Sequence, residues 1–376
     1  NAHEAPRQRF SMSPPTTSNV IQRHIRGDVR AMLAYAVQPS DGLVKLDAME
    51  NPFRLPEPLR AALGARLAEV AINRYPGSRN NDLRCALAQH AGLPEGFDLI
   101  LGNGSDELIS MLSLACATPG ASALAPVPGF VMYDVSARLQ GLRSISVPLT
   151  PDFELDESAM LAAMQQHQPA IVYIAYPNNP TANLFDDAII ERVIEAAPGL
   201  VVIDEAYQPF ASRSYIDRVA RHGHVLIMRT LSKFGLAGVR LGYLMGPKAL
   251  IAEIDKVRPP YNVSVLNCET AMFALEHADE FDRQAAVLRS ERSRLTSALH
   301  ALPGVHPYPS EANMILTRVN DAAAVFGALK NRGVLVKNVS NLHPLLADCL
   351  RLTVGTPEEN DILLSALKSS LEASPR

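Results

Sequence analysis

Long apolar runs, blocks of like charge and closely spaced cysteines are all scarce in this chain, and each shortage removes a class of function. The longest nearly uninterrupted apolar stretches, such as residues 108–117, fall well short of the roughly 20 residues that cross a bilayer. Basic and acidic residues number 35 and 39, for a net charge of −4, and they are interspersed; nothing marks a surface for nucleic acid or an anionic membrane. The four cysteines, Cys85, Cys116, Cys268 and Cys349, stand far apart with no CxxC pair, so they are expected to be reduced core residues of a cytoplasmic protein. Residues 1–19 are polar and proline-bearing, lack the apolar core of a signal peptide, and are expected to form a flexible tail. What the chain does have is 376 residues at 47% hydrophobic content, enough for a large core and for two unequal domains.

The pattern along the chain reads as α/β. An arm helix is expected over 20–35 and a short extended entry over 42–49. A helix follows from Pro58, with Leu59, Leu63, Leu67 and Val70 on one face, and Arg74-Tyr75-Pro76-Gly77 ends it. From residue 121, β-rich runs at 121–127, 144–149, 170–176, 200–204 and 225–230 alternate with helical patterns that include 156–166 and 186–197. Strands buried on both faces and separated by helices argue for a mainly parallel sheet sandwiched by helices. A further strand at 239–245 is close enough to its predecessor to be antiparallel. A long helical region at 268–302 and extended segments at 312–318, 333–339 and 350–354 then suggest a smaller α+β domain. The expected organisation is an arm at 20–47 that joins the small domain, a large domain at 48–270 and the small domain at 271–376.

In an open α/β sheet, ligands sit at the carboxyl ends of the strands. Four polar clusters fall at or near such positions, and each has an ordinary alternative. Gly102-Asn103-Gly104-Ser105-Asp106-Glu107 precedes a helix whose N-terminal N–H groups suit a phosphate, or it is a helix capped by Ser105 or Asp106. Tyr176-Pro177-Asn178-Asn179-Pro180-Thr181 is a stiff turn that could present an amide to a ligand or simply turn the chain. Asp204, at the end of 200–204, needs a cation, a metal or a hydrogen-bond network, and a structural ion pair would satisfy it equally. Thr230-Leu231-Ser232-Lys233, followed by Arg240, offers a lysine of depressed pKa suited to imine chemistry, or a snorkelling lysine beside a surface arginine. His222-Gly223-His224 has no evident third ligand, so no metal is assigned.

One cofactor, pyridoxal phosphate, accounts for all four clusters, because it needs a lysine, an acid at its pyridine nitrogen, a partner for its phenolic oxygen and a nest for its phosphate. The order of these segments resembles the fold-type I aminotransferases of the aspartate aminotransferase superfamily, and within them the histidinol-phosphate aminotransferases. The resemblance runs from about Tyr35 to Glu359 and is most specific over 230–243, TLSKFGLAGVRLGY. It implies that Lys233 carries the cofactor, Asp204 pairs with the pyridinium nitrogen, and Asn179 and Tyr207 bond the phenolic oxygen. It also implies that the backbone of Ser105 and Asp106, with Thr230, Ser232 and Arg240, holds the phosphate, and that Phe130 stacks on the ring. Tyr75 matches a tyrosine that reaches the neighbouring subunit's cofactor, implying a homodimer. Arg351 matches the arginine for the substrate α-carboxylate, Tyr35 and Asn51 match the segment that closes over the site, and Lys337 stands where the family often has a substrate-phosphate arginine.

The expected activity is therefore transamination between L-histidinol phosphate and 2-oxoglutarate, in histidine biosynthesis. The alternatives are an aromatic or broad-specificity aminotransferase, a threonine-phosphate decarboxylase, and a non-catalytic cofactor-sensing regulator, for whose DNA-binding module the residues before Tyr35 are expected to be too few.

Overall fold

The computed structural model describes residues 16–34 and 37–372, and these divide at Pro39 into two units. In the first unit, Thr16 caps the helix Thr17–His24 by accepting from the Asn19 N–H at 3.3 Å, and a second helix spans Gly27–Ala31. Neither helix has a buried side chain, and the single helix expected over 20–35 is interrupted at Ile25-Arg26. Residues 1–15 of the expected tail lie outside the described residues, as does Tyr35.

The second unit begins with a short strand, β1 (Val44–Lys45). The strands β2 (Phe97–Gly102), β3 (Ser122–Val127), β4 (Arg143–Pro148), β5 (Ile171–Ala175), β6 (Leu200–Asp204), β7 (Val225–Thr230) and β8 (Gly242–Pro247) form a seven-stranded sheet in the order β2-β8-β7-β6-β5-β3-β4. Pairing is parallel from β4 through β3, β5 and β6 to β7, and antiparallel on both sides of β8. Every residue of β5 and β7 is buried, because helices cover both faces of the sheet. Asp156 and Asp186 start two of those helices, Glu157–His167 and Asp187–Ala196, by accepting backbone N–H groups of their first turns.

A second sheet follows, made of β9 (Val305–Pro307), β10 (Met314–Val319), β12 (Lys337–Asn338) and β13 (Cys349–Thr353), in the antiparallel order β12-β13-β10-β9. Between them β11 (Val334–Leu335) pairs in parallel with β1, which ties the start of the unit to its end.

Several expectations change. The helix expected from Pro58 spans Glu57–Ala68 and buries no side chain, so its turn at Tyr75 lies beyond its end. Strand β2 and the helix Arg79–Ala91 had no counterpart in the sequence reading. The region 268–302 is two helices, Val265–Glu276 and Ala278–His300, parted at His277. All four cysteines are free, but Cys85 is exposed and Cys116 half-buried, so only Cys268 and Cys349 are core residues. Among the described residues no helix is long and apolar enough to cross a membrane.

Candidate active site

Parallel register carries the ends of β5, β6 and β7 to one edge, where Ala175 pairs with Asp204 and Asp204 with Met228. A cleft of about 640 Å³, mouth included, opens there. Ten of the residues singled out in the sequence line it: Ser105, Asp106, Phe130, Asn179, Asp204, Tyr207, Thr230, Ser232, Lys233 and Arg240.

Asp204 is 4% exposed, and burial pushes its carboxyl up to about 6. Two donors oppose that effect, the Tyr133 hydroxyl at 2.6 Å from Oδ2 and the Ala206 N–H at 3.0 Å from Oδ1. The alternative of a structural ion pair belongs to the next residue. Successive side chains leave a strand on opposite faces, and Glu205 meets Arg229 at 2.9 Å behind the sheet.

Lys233 enters from the irregular helical turn Ser232–Leu236 and donates from Nζ to the Ala48 carbonyl at 3.0 Å. Although the residue as a whole is half-buried, its ammonium is driven down to about 8, first by desolvation and then by the guanidinium of Arg351. The ring of Tyr207 lies 5.8 Å from Nζ.

At one end of the cleft the helix Gly104–Ala115 points its N-terminus inward. Neither Ser105 nor Asp106 caps it, since Asn103 takes that position and Glu107 accepts from the Asn103 N–H at 2.7 Å. The first-turn N–H groups of Ser105 and Asp106 have no acceptor within the helix, and the buried Ser105 Oγ has no hydrogen-bond partner. Gly104 adopts a φ of +76°, and a Cβ there would come within 2.7 Å of Arg240 Nη2. Arg240 Nη1 donates to Ser232 Oγ at 3.3 Å, and its Nη2 lies 3.6 Å from Asp106. Thr230 Oγ1 stands 3.0 Å from Ser232 Oγ and 3.1 Å from the Leu241 carbonyl, so it orders the turn that carries Ser232. An orphaned hydroxyl, a helix N-terminus and a guanidinium converging on one point fit a phosphate, and the enclosed lysine and the buried acid fit the other two ends of a pyridoxal ring.

Arg351, on β13, donates to Asn179 Oδ1 at 2.8 Å and to the Asp47 carbonyl at 2.8 Å. Because the Asn179 oxygen is taken, its amide N–H2 is the end left to face a ligand. Lys337 is the residue directly opposite Arg351 in the β12–β13 ladder, which puts both side chains on one face. Asn51 stands apart from the cleft lining, with its amide donating to Gln284 Oε1 at 2.9 Å and to the Phe234 carbonyl at 3.4 Å. Tyr75 is 74% exposed and stacks on Tyr261 at 4.1 Å. His222 and His224 meet Glu191 and the Ile194 carbonyl, and among the described residues no cluster of three or more His, Cys, Asp or Glu is placed to hold a metal ion.

Sequence reasoning missed Tyr133 and the strap Asp47–Met49. Tyr133 lies three residues after Phe130, a spacing that puts both on one side of a helical turn, and that was the available signal. Nothing local marks the strap, whose carbonyls serve cations far away in sequence.

The sequence profile of the aminotransferase class I and II family matches residues 41–367. A histidinol-phosphate aminotransferase of Methylibium petroleiphilum is 72% identical over 95% of this chain and 97% of its own length. Another, from Polaromonas naphthalenivorans, is 67% identical over 93% and 97%. The crystal structure of the histidinol-phosphate aminotransferase from Sinorhizobium meliloti in complex with pyridoxal-5'-phosphate shares this fold, with a TM-score of 0.82 at 24% identity over 93% of this chain and 98% of that one. Matches of that length and identity, on a cleft built as described, show that the chain belongs to the pyridoxal-phosphate-dependent class I and II aminotransferases and, within them, to the histidinol-phosphate aminotransferases.

Proposed function

We propose that the protein transfers the amino group of L-histidinol phosphate to 2-oxoglutarate, as a cytoplasmic homodimer. The observation that carries this reading is the pairing of two cations, Arg351 and Lys337, on one face beside the cleft that holds Lys233 and Asp204. Histidinol phosphate bears a phosphate ester where an amino acid bears its carboxylate. A forked guanidinium with a second point charge beside it serves both anions in turn.

When bound, pyridoxal phosphate supplies a ring that withdraws electrons from the carbon bearing the substrate nitrogen. The chain's own groups do the rest. Asp204 keeps a proton on the ring nitrogen, Tyr207 and the Asn179 amide donate to the phenolic oxygen, and Phe130 bounds the ring face. Ser105, Asp106, Ser232 and Arg240 bind the phosphate, with Thr230 holding Ser232 in place. Lys233 Nζ would hold the cofactor's aldehyde carbon and, as a free amine, would take up and return the proton at the substrate carbon; desolvation, which lowers it to about 8, suits it to that work.

Asn51 holds the entry strap against Phe234 and Gln284. Residues 271–372, joined by β1 of the arm through its pairing with β11, make the smaller domain, and the large domain runs over 48–270. The exposed Tyr75 and the unburied helix Glu57–Ala68 support a second subunit that receives the tyrosine. Single half-reactions with histidinol phosphate, phenylalanine, tyrosine and threonine phosphate, followed by cofactor absorbance, test the substrate. Histidinol phosphate is expected to react fastest. A faster aromatic donor would replace it, and release of carbon dioxide from threonine phosphate would make the protein a decarboxylase.

A further inference from the structure

Tyr133 is fully enclosed at the back of the cleft. Its ring stacks on Tyr173, with centroids 4.4 Å apart and planes within 5°, and meets the edge of Phe130 at 5.5 Å. Its hydroxyl donates to Asp204 Oδ2 at 2.6 Å and is the one side-chain donor to that carboxylate among the described residues. Burial and the facing charge of Asp204 raise the phenol far above its ordinary value, so it stays protonated and acts only as a donor. The other titratable groups that bear on Asp204 are Asp106 from the helix Gly104–Ala115, Glu205 next in the chain, Tyr207 and Tyr173; the two acids oppose its ionisation.

We infer that Tyr133 is a positioning residue, whose hydroxyl holds Asp204 ionised and aimed into the cleft by a short charge-assisted hydrogen bond. The same ring braces Phe130, so one side chain couples the acid at the ring nitrogen to the aromatic group at the ring face. The alternative is that Tyr133 only fills space, since its stack on Tyr173 buries the ring whether or not the hydroxyl matters. Geometry argues against this. A hydroxyl in van der Waals packing alone has no reason to lie 2.6 Å from a buried carboxylate oxygen, and a carboxylate this enclosed needs its donors. This inference rests on the assignment of Asp204 to the ring nitrogen, but its first test needs no cofactor.

Tyr133→Phe deletes the hydroxyl and keeps the stack. In cofactor-free protein, thermal stability measured from pH 4 to 8 contains a component that falls as Asp204 ionises. It is isolated by subtracting the same curve for Asp204→Asn. Losing the donor is expected to move the upper end of that component to higher pH by about one unit. In the Asp204→Asn background Tyr133→Phe is expected to change stability equally at every pH. Cofactor retention, followed by equilibrium dialysis, is expected to fall several-fold in Tyr133→Phe and not further in the double variant. Should Tyr133→Phe fail to fold, 3-fluorotyrosine at position 133 gives the opposite test, since a more acidic donor moves the component to lower pH. An unshifted component, or an equal loss of cofactor with and without Asp204, overturns the inference. A shifted component without loss of cofactor affinity would keep Tyr133 as the partner of Asp204 and withdraw the ring-nitrogen assignment instead.

Discussion

Replacing Asp204 with asparagine should make the cofactor-free protein more stable at neutral pH while destroying its activity. Asp204 is buried, and its carboxyl titrates near 6 rather than at 3.8. At about 1.36 kcal/mol per pH unit, holding it ionised in the folded protein costs about 3 kcal/mol. The sign follows from proton uptake: between pH 3.8 and 6 the folded state binds more protons than the unfolded, so this contribution to stability is greatest below 3.8 and is lost as pH rises to 6. Asparagine has the same outline and no charge. It keeps an oxygen for the Ala206 N–H and can donate to the Tyr133 hydroxyl, an imperfect substitute that returns about 1 kcal/mol. The net gain is about 2 kcal/mol at pH 7.5 and close to zero at pH 4. Cofactor-stripped wild type and Asp204→Asn, melted side by side at both pH values, should differ by a few degrees in Tm at pH 7.5 only. Added pyridoxal phosphate should then stabilise the wild type more than the variant, because the charge has gained its partner, and turnover of the variant should fall by orders of magnitude. An Asp204→Asn protein no more stable than wild type at pH 7.5, or equally favoured at both pH values, would refute the claim that this carboxylate is held at a cost for function.

Lys233→Ala should abolish turnover and leave the fold intact, and borohydride reduction of the wild type should fix the cofactor on the Lys233 peptide; a label on another lysine would move the site. Gly104→Ala should weaken cofactor retention by about tenfold or more, from the strain of a side chain at φ +76° and from displacement of Arg240, as read by dialysis and Tm; wild-type retention would discount the phosphate nest. Lys337→Ala should lower kcat/KM for histidinol phosphate by about 1 to 3 kcal/mol in transition-state terms and spare phenylalanine, while Arg351→Ala should damage every donor and 2-oxoglutarate; equal losses in Lys337→Ala would end its phosphate role. Mixing Lys233→Ala and Tyr75→Phe subunits tests the shared site, since a mixed dimer carries both defects in one site and neither in the other; no recovery of activity on mixing would argue that Tyr75 serves its own chain.

Much of the cleft was legible because its parts sit at the ends of regular elements. β6 and β7 were read to the residue, since uninterrupted apolar runs such as LVVI and VLIM suit strands buried on both faces, and the polar residues that end them stand out. The caps Asp156 and Asp186 are local in the same way. β2 was not legible. Its six residues, which end on the Gly102 of Gly102-Asn103-Gly104, could equally open a helix, and only antiparallel pairing with the distant β8 makes them a strand. The helix from Glu57 shows the converse, a readable apolar face whose Leu59, Leu63 and Leu67 the single chain only half buries.

The sequence by itself determined the residue types and their spacing: a lysine after one strand, an acid at the end of another, an amide in a stiff turn, a glycine-bearing helix start. These depend on interactions within a few residues, which periodicity records. Only the tertiary structure decided which partners meet. Tyr133 reaches Asp204 across 71 residues, Arg351 reaches Asn179 across 172, and the Ala48 carbonyl reaches Lys233 across 185. It also decided that Asp204 faces the cleft while Glu205 takes the ion pair with Arg229. Alternation along a strand says that two neighbours part company, but which face becomes the cleft is set by what the rest of the chain packs against each side of the sheet.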